Sequence, residues 1–174
     1  MRIIVRLTVA IAVLGGALLG LTLGVGAQTS LCALLPQADV TSVVGTPVKL
    51  AEGKLENGLQ GTGMRRSQSC NYDPPGGVGS GPATVRVTFS EGESPAAAAK
   101  MFKAQLQILP GVAGKGEPLS GVGDEALSFH APGSVYMRQK NVIVDIHVGL
   151  RDLNLDKEIA MGKALALKIA TRVP

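Results

Sequence analysis

The segment Gly121–Gly149, GVGDEALSFHAPGSVYMRQKNVIVDIHVG, constrains the fold of this chain more than any other. It reads as three antiparallel strands over Ala126–His130, Ser134–Gln139 and Val142–Val148. In the last, Val142, Val144, Ile146 and Val148 alternate with Ile143, Asp145 and His147, the period of two expected of a half-buried strand. Lys140-Asn141 is then a two-residue hairpin loop, with Asn141 suited to positive φ. That loop pairs Gln139 with Val142, Met137 with Val144 and Val135 with Ile146, so the apolar sides agree and fix the register. Ala131-Pro132-Gly133 reads as a three-residue loop with Gly133 in the left-handed position. It sets His130 opposite Ser134 and Phe129 opposite Val135. One face then carries Leu127, Phe129, Val135, Met137, Val144 and Ile146. The other carries the rows His130–Ser134–His147 and Ser128–Tyr136–Asp145, with Arg138 diagonal to Asp145.

The polar face (His130, Ser134, Tyr136, Arg138, Asp145 and His147) is the candidate site. Polarity alone does not imply chemistry, because antiparallel sheets commonly turn one face to solvent or helices and hold it with cross-strand polar pairs. Two histidines two strands apart are about 10 Å apart at the backbone. With Asp145 as the one obvious further ligand, they fall short of the four close ligands of structural zinc, and no metal or other cofactor is assigned. A Ser134/His147/Asp145 hydrolase would lack a nucleophile elbow and an oxyanion hole, so no catalytic residue is assigned.

The N-terminus reads as an export signal. Arg2 and Arg6 precede an uncharged apolar run from Leu7 to Gly26, and Val25-Gly26-Ala27 offers small residues for cleavage, giving a start at Gln28. The alternative is an uncleaved membrane anchor, since a span needs about 20 residues. Removing residues 1–27 from the 174 leaves 147, enough for one domain with its own core, and lowers the net charge from +4 to +2. Aromatic residues are 3% of the chain, with no Trp. That excludes the stacking platforms of single-strand nucleic-acid binding, and no basic cluster beyond Arg65-Arg66 remains. Partners are therefore an unknown small ligand or envelope protein, not nucleic acid, with membrane contact only through an uncleaved N-terminal segment. In an exported chain, the two cysteines, Cys32 and Cys70, predict a disulfide. Thr29 and Leu31 do not fit a lipid-attachment signal at Cys32.

Along the rest of the chain, Leu34–Val44 predicts a short helix with Pro36 in its first turn and Gly45 at its end. Val48–Ala51 predicts a short strand, Glu52–Arg66 a polar loop and Gln68–Asp73 a strand. The glycine-rich Pro74–Pro82 is a loop without the Gly-Lys-Ser/Thr of a phosphate loop. Ala83–Ser90 alternates as a strand. Ser94-Pro95 opens a helix to about Leu109, stopped by Pro110-Gly111. Gly121-Val122-Gly123-Asp124-Glu125-Ala126 matches G-x-G-x-x-A formally, but a strand follows it and two acidic residues would repel phosphate, so it is a turn rather than a dinucleotide site. Asn154–Val173 is the clearest helix, with Leu155, Ile159, Gly162, Ala166, Ile169 and Val173 on one face. The fold class expected is α+β: an antiparallel sheet of about five to seven strands, two long helices packed on it and one short N-terminal helix.

The Cys32-x-Leu-Leu start before a helix ending in Val-Gly, the Cys70-x-Tyr72 strand, the Gly121–Ala126 turn and the final valine-rich strand and helix together resemble small exported or lipid-anchored bacterial domains of unknown function of the actinobacterial type. The resemblance spans Cys32–Pro174. It implies a secreted, periplasmic or cell-envelope location and an α+β fold, and transfers no catalytic residue. Three functions follow as expectations: a non-catalytic module binding a ligand or protein; a hydrolase or metal-binding protein using His130, Ser134, Asp145 and His147; and an accessory subunit of an envelope complex.

Overall fold

A two-residue turn sets the register of the sheet. In a computed structural model that describes residues 29–130 and 133–174, Lys140 takes the left-handed backbone (φ 52) at that turn. Asn141, expected to do so, does not, and its side chain instead reaches Glu91. On either side run β7 (Ser134–Gln139) and β8 (Val142–Leu150), paired as the alternation predicts: Gln139 with Val142, Met137 with Val144, Val135 with Ile146.

The remaining strands are β1 (Lys49–Glu52), β2 (Glu56–Asn57), β3 (Met64–Asp73), β4 (Ala83–Gly92), β5 (Glu117–Pro118) and β6 (Glu125–Phe129). All pairings are antiparallel, in the order β1-β3-β4-β8-β7-β6-β5, with β2 on the margin of β3. The expected α+β class holds, with eight strands in one sheet. β3 begins at Met64, inside the expected loop. Its core-facing position 68 is a glutamine, buried because its amide accepts from Leu31 N–H (2.7 Å) and donates to the Gly53 carbonyl (3.0 Å). The unexpected part, Met64–Ser67, has no buried residue and so offers no hydrophobic pattern.

The β6–β7 register differs from expectation by one residue. Phe129 pairs with Ser134 and Ser128 with Val135, leaving His130 outside the ladder. Side chains alternate between faces, so a one-residue slip moves Leu127 and Phe129 to the opposite side of the sheet. There they join Tyr136 and Ile143 beneath the helix α2 (Pro95–Ile108), which contributes Ala98 and Phe102. Ser94 caps α2, accepting from Ala97 N–H (3.1 Å), and Gly92 lets its first turn cross β4 closely: a Cβ at Gly92 would lie 2.9 Å from Ala98 N. Pro110 does not stop the helical path outright; a single turn, α3 (Pro110–Ala113), follows.

The other face holds the larger core, including Phe89, Val135, Met137, Val144 and Ile146, and is covered by α4 (Leu155–Ala170). Asn154 caps α4 through a 3.0 Å bond from Lys157 N–H. Gly162 permits contact with β7, where a Cβ would meet Val135 Cγ2 at 2.9 Å. The short helix α1 (Gln37–Val44) follows a 3-10 turn, Leu31–Leu34, and Gly45 ends it in the left-handed conformation. α1 is tied to α4 by Asp39, which faces Lys168 (3.1 Å) and Arg172 (2.6 Å). Cys32 and Cys70 form the expected disulfide, with Cα atoms 5.7 Å apart, and Tyr72 O–H donates to the Leu35 carbonyl beside it. The helices therefore lie on both faces of the sheet, and α2 and α4 do not share one.

Candidate functional site

On the α2 face, two rows of side chains cross the central strands. One runs Asn71–Arg86–His147–Ser134–Phe129, the other Ser69–Thr88–Asp145–Tyr136–Leu127. α2 covers the Tyr136 and Phe129 end of these rows. The β3–β4–β8 end stays open as a groove of about 510 Å³, bordered by Asn71, Asp73, Arg86, Asp145, His147 and the exposed Val78.

The expected site is thereby divided. Asp145 and His147 stand two residues apart on β8 and on the same side, and His147 Nε2 lies 3.0 Å from Asp145 Oδ2. The bond to Asp145 raises the pKa of His147, against burial, and the nearby Arg86 charge lowers it. Ser134 is buried opposite His147, and among the described residues no hydrogen bond joins the two. Tyr136 is buried under Phe102, and burial pushes its phenol pKa well up, with Asp145 adding to the effect.

Arg138 does not reach Asp145. It donates to Glu125 (2.9 and 3.1 Å) and Asp124 (2.7 Å), and Asp124 also accepts from Lys140 N–H (2.8 Å). This explains the Gly121–Ala126 motif. Gly123 (φ 57) passes so close to β7 that a Cβ would lie 2.6 Å from the Arg138 carbonyl oxygen, and the two acids that follow clamp Arg138. His130 lies elsewhere again. Its nearest acidic partner is Asp156, 4.0 Å away at the start of α4, so it belongs to the opposite side of the sheet from His147. The predicted His130–Ser134–His147 row is replaced by Phe129–Ser134–His147.

Sequence reasoning missed Arg86 and Asn71 as members of this face. Arg86 Nε donates to Asn71 Oδ1 (3.1 Å), and among the described residues its terminal nitrogens make no hydrogen bond or ion pair. The signal was present: Arg86 and Thr88 alternate with Val85, Val87 and Phe89, as expected of residues facing away from the core. What the sequence did not reveal is that β4 lies beside β8. Among the described residues, no group of three or more His, Cys, Asp or Glu side chains is placed to hold a metal ion, and no helix is long and apolar enough to cross a membrane. The expected signal segment, residues 1–27, lies outside the described residues.

No family model matches the chain, and no curated protein matches it. Among solved structures, it is similar to the extracellular domain of PknH from Mycobacterium tuberculosis, with a TM-score of 0.52 and 14% identity, over 81% of this chain and 93% of that one. Identity this low carries the fold and nothing finer.

Proposed function

We propose that this chain is an exported, non-catalytic binding module whose ligand lies over Asn71, Arg86, Asp145 and His147. One observation carries the reading: α2 covers only part of its face, and the uncovered part keeps charged side chains on central, well-paired strands beside a groove of about 510 Å³. That volume is within the range of small-molecule sites, roughly 300–1,000 Å³, and positioned polar groups on a rigid scaffold are the usual means of orienting a ligand. Export is supported by the Cys32–Cys70 disulfide, since such bonds persist in oxidising compartments, and by the apolar run from Leu7 to Gly26. The similarity to an extracellular domain fits the same location. A hydrolase built on His130, Ser134, Asp145 and His147 is disfavoured by the position of His130 beside Asp156. The test is a small-molecule library titrated against isotopically labelled protein. Amide shifts should concentrate at Arg86, Asp145, His147 and Gly149. Shifts concentrated on the α4 side of the sheet would refute the reading.

A further inference from the structure

We infer that the groove takes a small molecule bearing a single carboxylate, which bridges Arg86 on β4 and His147 on β8. The inference rests on the groove being the binding site and goes further by naming the ligand class. Arg86 and His147 are direct cross-strand partners. Directly opposed like charges destabilise a sheet, yet here Asp145, two residues before His147 on β8, paired with Thr88 and bonded to the imidazole Nε2 at 3.0 Å, favours the charged imidazole. The Asp145 carboxylate is engaged by His147, and Asn71 holds only Nε of Arg86. The remaining guanidinium nitrogens present a planar fork, the geometry that binds a carboxylate through two parallel hydrogen bonds. An external carboxylate would satisfy that fork and offset the repulsion between Arg86 and the protonated form of His147.

The rest of the groove limits the ligand further. Asp73 lies two residues along β3 from Asn71, about 7 Å away, and borders the same groove. A second anionic group at that end would face it, which disfavours dianions such as phosphate esters. Gly149, two residues beyond His147, leaves the floor without a side chain; a Cβ there would sit 3.1 Å from Thr84 Oγ1. Val78, 81% exposed, borders this end with apolar surface. The body of the ligand therefore extends from the Arg86–His147 pair towards Gly149 and Val78.

Three compounds sharing one ring test this: benzoate, benzamide and benzylamine, each titrated by amide NMR into protein expressed from the full chain and isolated in its exported form. Benzoate should give saturable shifts at Arg86, His147 and Gly149, and the other two should not. Arg86→Ala should weaken benzoate at least about tenfold, the loss expected when a charge-assisted hydrogen bond is removed. Arg86→Glu should reverse the preference towards benzylamine. Arg86 is exposed, and unchanged amide signals for the α4 core would verify that both variants fold. If benzamide or benzylamine binds the groove as well as benzoate does, the carboxylate assignment fails and the groove survives as a binding site. If none of the three shifts groove residues, the small-ligand reading of the groove fails with it.

Discussion

Phe102 of α2 lies flat on Tyr136 of β7, with ring centroids 4.8 Å apart and planes 4° from parallel. The stack stands where the covered part of the sheet face meets the open part: Tyr136 pairs across the strands with Asp145, which borders the groove. Among the described residues the buried Tyr136 hydroxyl has no hydrogen-bond partner. Phe102 is fully buried, so Phe102→Ala should cost about 3–5 kcal/mol, the usual range for removing a core phenylalanine. Urea denaturation would measure it. Phe102→Leu, which keeps most of the volume, should cost less.

Gly162 is a second close approach, on the other face. Ala favours a helix over Gly by about 1 kcal/mol, yet Gly162→Ala places a Cβ 2.9 Å from Val135 Cγ2, on a stiff β-branched side chain. Overpacking costs about 1–3 kcal/mol, so the variant should be net destabilised by about 1 kcal/mol. Adding Val135→Ala should recover part of the Gly162→Ala penalty, and a double-mutant cycle would read that coupling.

The Cys32–Cys70 bond closes a loop with a sequence separation of 38 residues. In the chain-entropy description, losing it costs on the order of 4 kcal/mol. Thermal melts of the wild type and the Cys32→Ala/Cys70→Ala pair should differ accordingly, and reductant should lower the melting temperature of the wild type alone.

Two ionic contacts give opposite pH dependences. Burial raises the pKa of Asp39, but Lys168 and Arg172 outweigh it and hold the carboxyl below the usual value. Its contribution to stability is therefore present above the unfolded pKa and lost as pH falls through the folded one. His147 is shifted up by its bond to Asp145, so its contribution is full below the unfolded histidine pKa and lost as pH rises through the folded one. Each is worth about 1 kcal/mol or less at such part-exposed positions. Asp39→Asn should flatten the acid limb of a stability–pH profile, and His147→Gln the limb that begins at the unfolded histidine pKa and runs upward. Benzoate affinity should weaken over that same upper range as the imidazole loses its charge beside Arg86 and Asp145.

Much of this architecture was readable from alternation. β7 and β8 were, because a two-residue loop joins them and only one side of β8 is uniformly apolar. β6 was not. Leu127 and Phe129 lie under α2 while Ala126 faces the other way and is also buried, so the pattern of apolar residues does not say which side is which, and the longer loop leaves the register free. The first part of β3, Met64–Ser67, was hidden because none of its residues is buried, which leaves no apolar alternation to read. The site was half legible. Asp145 and His147 announce themselves on one strand, but Arg86 joins them only through the β4–β8 pairing, and His130 leaves them through a register slip of one residue.

The most direct test of the binding-module account is native mass spectrometry of the wild type and Arg86→Glu, each isolated gently from the envelope and medium of its own cells. The account predicts a small acidic adduct on the wild type, lost on denaturation and absent from Arg86→Glu. A bare wild-type protein, or an adduct carried equally by both, would contradict it.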